Sequence, residues 1–135
     1  MDYVTGSAVP RIVGDAFVRG ERRRELALDS FRGSWLVVAF GVRGADVDEL
    51  ARLEEAFAAD GAVVVAATPS DWHDVAERYG ASAARFPILT GVDERRQVTL
   101  VVDPGGVIRH TGLRRSARET LASLEALLVP AVLAA

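Results

Sequence analysis

At 135 residues, half of them hydrophobic, the chain suits one domain with a sizeable core and is too short for two. Its formal net charge of −3 argues against nucleic acid as a partner, and no apolar run approaches the ~18 residues that a membrane helix needs. The absence of cysteine excludes disulfides, zinc–thiolate sites and every thiol-based reaction.

The opening MDYVTGSAVP has neither an apolar period nor the basic-then-apolar layout of a secretion leader. Residues 1–10 therefore read as a flexible lead-in, and a cytoplasmic location is expected. From Arg11 to Leu28, Ile12, Val13 and Phe17, then Gly20-Glu21, then Leu26 and Leu28 predict two short strands in a β-hairpin. Arg22, Arg23 and Arg24 fall in it, flanked by Glu21 and Glu25, either as an anion site or as a self-neutralised charged edge. After the turn Phe31–Trp35, the apolar run Trp35–Phe40 predicts a strand buried on both faces. Gly41 and Gly44 open a turn. A helix follows over Asp46–Asp60, with Val47, Leu50 and Phe57 at helical spacing, Asp46 and Glu49 as a D-x-x-E capping box and Gly61 as the stop.

Ala62–Thr68 is a second buried strand, so strand, helix and strand predict a parallel crossover. Ser70 is placed to cap a second helix running through Tyr79 to Gly80. Phe86-Pro87-Ile88-Leu89 is a short apolar segment. Val98–Val102 and Val107–Thr111 form an antiparallel hairpin about Asp103-Pro104-Gly105-Gly106. A second box, Ser116 with Glu119, opens a last helix with Ala117, Leu121, Leu124 and Leu128 on one stripe, ended by Pro130. The domain thus spans 11–128, with an apolar tail at 129–135. All sixteen basic residues are arginine, and with the abundant Ala, Val and Gly this composition is associated with GC-rich bacterial genomes.

A hairpin, a βαβ unit and a ββα unit, in that order, give an α/β chain with a central mixed sheet flanked by helices. Three motifs, Phe31-Arg32-Gly33-Ser34-Trp35, Phe86-Pro87-Ile88-Leu89 and Thr99-Leu100-Val101-Val102-Asp103-Pro104-Gly105-Gly106-Val107-Ile108-Arg109, stand in the matching order. They resemble the alkyl hydroperoxide reductase/thiol-specific antioxidant family, the peroxiredoxins, and the likeness covers residues 10–128. The resemblance implies a thioredoxin-like fold with an N-terminal β-hairpin. It also implies where the family's site would fall. Asp46 takes the place of the peroxidatic Cys, with Ala45 the occupant if the turn shifts by one residue, and Arg43 that of the preceding Thr or Ser. Gln97, with Arg96 beside it, takes the place of the Arg, Val98 stands where thioredoxins carry a cis-proline, and nothing matches the family's Pro.

The candidate catalytic groups are Asp46 and His73. An acid at a helix N-terminus is stabilised as an anion and acts as a base or an anchor; the alternative is an ordinary helix cap. His73, between Trp72 and Asp74 and near Asp71, is either an acid or base or an exposed helix residue. Arg43, Gly44, Gln97 and Arg96 are the candidate ligand-binding residues, and the pairs Arg95-Arg96 and Arg114-Arg115 would extend them as a basic rim. No His and acidic residues have metal-ligand spacing, and no phosphate loop exists, so neither a metal nor a cofactor is expected. The expected function is that of a redox-inactive peroxiredoxin-like protein which binds a partner protein or a small ligand near the Gly41–Asp46 turn. The resemblance adds a homodimer to that expectation. The competing reading is a cysteine-independent enzyme that reuses the peroxiredoxin pocket, for example in bacterial secondary metabolism.

Overall fold

The computed structural model describes residues 3–80, 84–113 and 116–134. In chain order the elements are β1 (Val13–Val18), β2 (Glu21–Ala27), a 3-10 turn (Leu28–Phe31), β3 (Trp35–Ala39), α1 (Gly44–Ala59), β4 (Ala62–Ala67), α2 (Trp72–Tyr79), β5 (Ile88–Leu89), β6 (Val98–Val102), β7 (Ile108–Leu113) and α3 (Ala117–Ala134). The strands form one seven-stranded sheet in the order β2-β1-β5-β4-β3-β6-β7. β4 runs parallel to β3 and β5, and the other pairs are antiparallel, so the sheet is mixed.

The period of two in the strands sorts the core into two layers. Val37 and Ala39, Val64 and Ala66, Phe17, Ile88 and Val101 face one side. There they meet Val47, Leu50 and Phe57 of α1, Val75 and Tyr79 of α2, and Ala117 and Leu124 of α3. Leu36, Val38 and Phe40, Val65, Ala67, Leu89, Leu100 and Val102 face the other side, where they meet Tyr3, Val9, Leu28, Phe31 and Val92 from segments outside the α-helices. Among the described residues, therefore, every α-helix contributes to one face of the sheet and loops seal the other. Both faces of β3 and β4 are covered, which is why these strands read as unbroken apolar runs. Residues 3–10 belong to the sealing layer: Ala8 bridges Val107, Val9 is buried, and Ile108 N–H donates to the Ser7 carbonyl at 2.8 Å.

Several boundaries differ from the sequence expectation. α1 begins at Gly44, with Arg43 as its N-cap, so Asp46 occupies the third helical position instead of the cap. Its carboxylate reaches back to the Arg43 N–H at 2.8 Å, which is the acid half of a capping box. Glu49 leaves that box altogether and accepts the N–H of Ala117, capping α3 from α1. The second helix is capped by Asp71, whose Oδ1 accepts the Asp74 N–H at 2.9 Å, and not by Ser70, whose carbonyl is engaged by the Gly91 N–H. In the last hairpin a register shift between Val101 and Val102 delays the start of β7 to Ile108. α3 continues past Pro130, since a proline removes one helical hydrogen bond without by itself ending the helix.

Candidate functional site

The junction of β3 and α1 is shaped by Gly41. Its φ of +61° lies in the left-handed region, and a Cβ there would sit 2.5 Å from the Arg96 carbonyl oxygen and 2.7 Å from that of Arg95. Only glycine allows the turn to lie directly on the 95–96 backbone. That approach delivers the next residue, Gln97, to the start of α1, where its Nε2 donates to Asp46 Oδ2 at 3.3 Å. Two of the residues singled out in the sequence, 51 positions apart, thus meet. The same carboxylate oxygen holds the Arg43 N–H, and Gly44 forms the first residue of the helix between them. Two residues beyond Gln97, in β6, lies Thr99, 4% exposed, with its hydroxyl unpaired among the described residues.

Arg96 is engaged by Glu94. Its guanidinium turns to Glu94, with Nη2 at 2.8 Å from Oε1 and Nε at 3.2 Å from Oε2, while its own backbone N–H also reaches Oε2 at 3.2 Å. The bond from Arg96 holds the Glu94 carboxyl down at about 2. Tyr3 completes the arrangement. Its ring stacks on Phe40 at 5.1 Å, and burial, reinforced by the neighbouring Glu94 charge, pushes its hydroxyl up to about 12. Sequence reasoning missed Tyr3 and Glu94, because the contact joins the chain's beginning to the loop before β6 and leaves no local pattern.

His73 sits elsewhere. It is an exposed residue of α2, edge-on to Trp72 at 5.6 Å and 82°. α2 packs on β1, whereas Gln97 leads into β6, and β1 and β6 are separated by β5, β4 and β3. Four strand spacings put these strands roughly 19 Å apart, so His73 and Asp46 do not converge on one reacting atom. Trp72 and Tyr79 pack into the core below α2, as their spacing of seven suggests. The indole N–H of Trp72 is buried without a partner among the described residues. Arg43 is exposed at the rim of the turn, and the Arg114-Arg115 pair lies outside the described residues. Among the described residues no group of three or more His, Asp or Glu is placed to hold a metal ion, and no helix is long and apolar enough to cross a membrane.

No protein-family model and no curated protein matches the sequence. Solved structures do match. The chain aligns with Enterococcus faecalis AhpC at 17% identity and a TM-score of 0.78, covering 94% of this chain and 93% of that one. Mycobacterium tuberculosis AhpC gives 18% identity and 0.79 over 93% of both chains. The mitochondrial 2-Cys peroxiredoxin of Plasmodium falciparum gives 12% and 0.79 over 93% of this chain and 94% of that one. The fold is that of the peroxiredoxins. At 17 and 18% identity the likeness is one of fold, and the present chain carries it with no cysteine at all.

Proposed function

We propose that this protein is a redox-inactive member of the peroxiredoxin-like fold that acts by binding a partner, protein or small ligand, at the exposed rim of the β3–α1 turn. The observation that carries this reading is the state of Asp46. Its oxygen is already engaged by Arg43 N–H and Gln97 Nε2, which suits a group that holds the turn in shape better than one poised to take a proton from a substrate. Arg43, Gly44 and Ala45 remain at the rim above it and supply the contact surface, and Arg96 lies on the other side of the Gly41 crossing. Self-association belongs to the same proposal. Of the two sheet edges, β7 suits a second copy better than β2, because β7 ends on Leu113, 76% exposed, while β2 carries three successive arginines.

Two measurements test the proposal. Peroxide consumption with dithiothreitol as reductant is expected to equal the buffer rate, and thiol-dependent turnover would sink the reading. A photo-crosslinker at the exposed Ala45 is expected to capture a defined protein or ligand that the same probe at the exposed Ala126, on α3, does not capture. Equal labelling from both positions would remove the turn as the binding site.

A further inference from the structure

A cluster of arginines lies away from the β3–α1 turn, beside the N-terminal hairpin. In a chain of net charge −3, Arg19, Arg22, Arg23, Arg24 and Arg85 line an open groove of about 730 Å³ in which, among the described residues, the only acid is Glu21. Arg22 is fixed in place: Nη2 and Nε lie 2.6 and 3.0 Å from Asp15 Oδ2, and its guanidinium sits over the Trp72 ring at 5.1 Å from the centroid. The other four form no ion pair among the described residues. Arg19 holds a left-handed φ of +51°, which a side chain with a Cβ adopts only at a cost, and this conformation turns the hairpin that carries the cluster. A second trough of about 530 Å³ shares Arg19 and Arg85 with the groove and is lined on the α1 side by Arg52, Glu54 and Glu55.

We propose that this groove binds an acidic, extended segment of a partner protein. Arginine forks match carboxylates two donors at a time, and five arginines gathered about fewer acids are relieved by an anionic occupant. Length favours a chain over a compact anion: the arginines are spread from the hairpin turn along β2 and across to Arg85 instead of converging on one point. The β2 strand forms the sheet's open edge here, so an extended segment finds backbone groups as well as arginines. A second copy is disfavoured at this edge, since pairing β2 with itself sets the arginines of one copy against those of the other. A nucleic acid is disfavoured by the overall negative charge of the chain.

The test uses the full chain and a fluorescein-labelled peptide with glutamate at every second position and serine between. Saturable anisotropy is expected at low salt, weakening as salt rises. R23E/R24E, at two exposed residues, is expected to weaken it by about tenfold or more, while R78E/R118E, with the same charge change elsewhere on the surface, leaves it unchanged. Circular dichroism of R23E/R24E and the milder R85A guard against a simple loss of fold. Amide shifts induced by the peptide should cluster at residues 18–24 and 85. No saturable binding, binding indifferent to R23E/R24E, or equal loss in both double variants would each overturn the proposal. So would displacement of the peptide by pyrophosphate at equal charge, which would make the groove a small-anion site, or tighter binding of single-stranded DNA. Loss of this binding leaves peroxide inactivity and Ala45 crosslinking untouched, so the two proposals fail separately.

Discussion

The two glycines of the β3–α1 turn should respond in opposite directions to the same methyl group. At Gly41 a Cβ meets two carbonyl oxygens, of Arg96 at 2.5 Å and Arg95 at 2.7 Å, and the Arg96 carbonyl carbon at 2.9 Å, in a residue whose φ is +61°. The obstacles are backbone, so no flexible side chain swings away. Left-handed backbone with a Cβ costs ~1–2 kcal/mol and overpacking a further ~1–3, giving about 3 kcal/mol for Gly41→Ala. At a chain length between the small and mid-sized classes, that is a fall in Tm of roughly 10 °C. At Gly44 a Cβ meets nothing within 4 Å, and the residue opens α1, so Gly44→Ala should be neutral or stabilising by up to about 0.5 kcal/mol. Urea unfolding followed by the fluorescence of Trp35 and Trp72 measures both, with the slope m checked for constancy. A loss below about 1 kcal/mol at Gly41 would refute the reasoning, because it would mean that the 95–96 segment yields freely and does not position Gln97. A loss at Gly44 equal to that at Gly41 would refute it as well.

Asp46→Ala removes the acceptor of both the Arg43 N–H and the Gln97 amide, and should cost about 1 kcal/mol in the same urea assay without creating or removing any peroxide turnover. Glu49→Ala should cost about as much by leaving the Ala117 N–H at the start of α3 without its acceptor, while Glu49→Gln, which keeps an oxygen for it, should recover most of it; equal losses would deny that the acceptor matters. Glu94 has a folded-state value of about 2, below its ordinary carboxylate value, so its contribution to stability is full above the ordinary value and is lost as pH falls toward 2; Glu94→Gln should flatten the acid limb of the unfolding curve over that window. Tyr3 is shifted the other way, so its contribution is present below pH 10 and is lost as pH rises toward 12. Absorbance titration at alkaline pH should show one tyrosine ionising near 12 in the folded protein, and Glu94→Gln should move that midpoint down by removing the neighbouring charge.

Much of the architecture was written locally. The run Trp35–Phe40 announced a strand with two covered faces, the stop at Gly61 ended α1, and Asp103-Pro104-Gly105-Gly106 made its hairpin, because strand alternation, left-handed glycine and turn chemistry all act within a few residues. These cues, with the three ordered motifs, sufficed for the peroxiredoxin fold that the structural comparisons bear out. Caps were less legible. A D-x-x-E or S-x-x-E pattern identifies a helix start, yet choosing between Ser70 and Asp71, or between Asp46 and Arg43, depends on which backbone carbonyls are engaged by other segments, and that is a tertiary matter. Glu49 shows the same limit, since the amide it caps belongs to a helix 68 residues away.

The sequence by itself determined that thiol chemistry is absent and that an acid lies near the start of α1, because residue identity needs no geometry. Only the tertiary structure decided what that acid does. Gly41's close crossing of the 95–96 backbone brings Gln97 to Asp46, turns Arg96 toward Glu94 and Tyr3, and leaves His73 across the sheet. It also gathered Arg85 beside the hairpin arginines, over sixty positions away in the chain, into one groove. Contacts of this range form when strands distant in sequence pair in the sheet, and no local period or spacing records them.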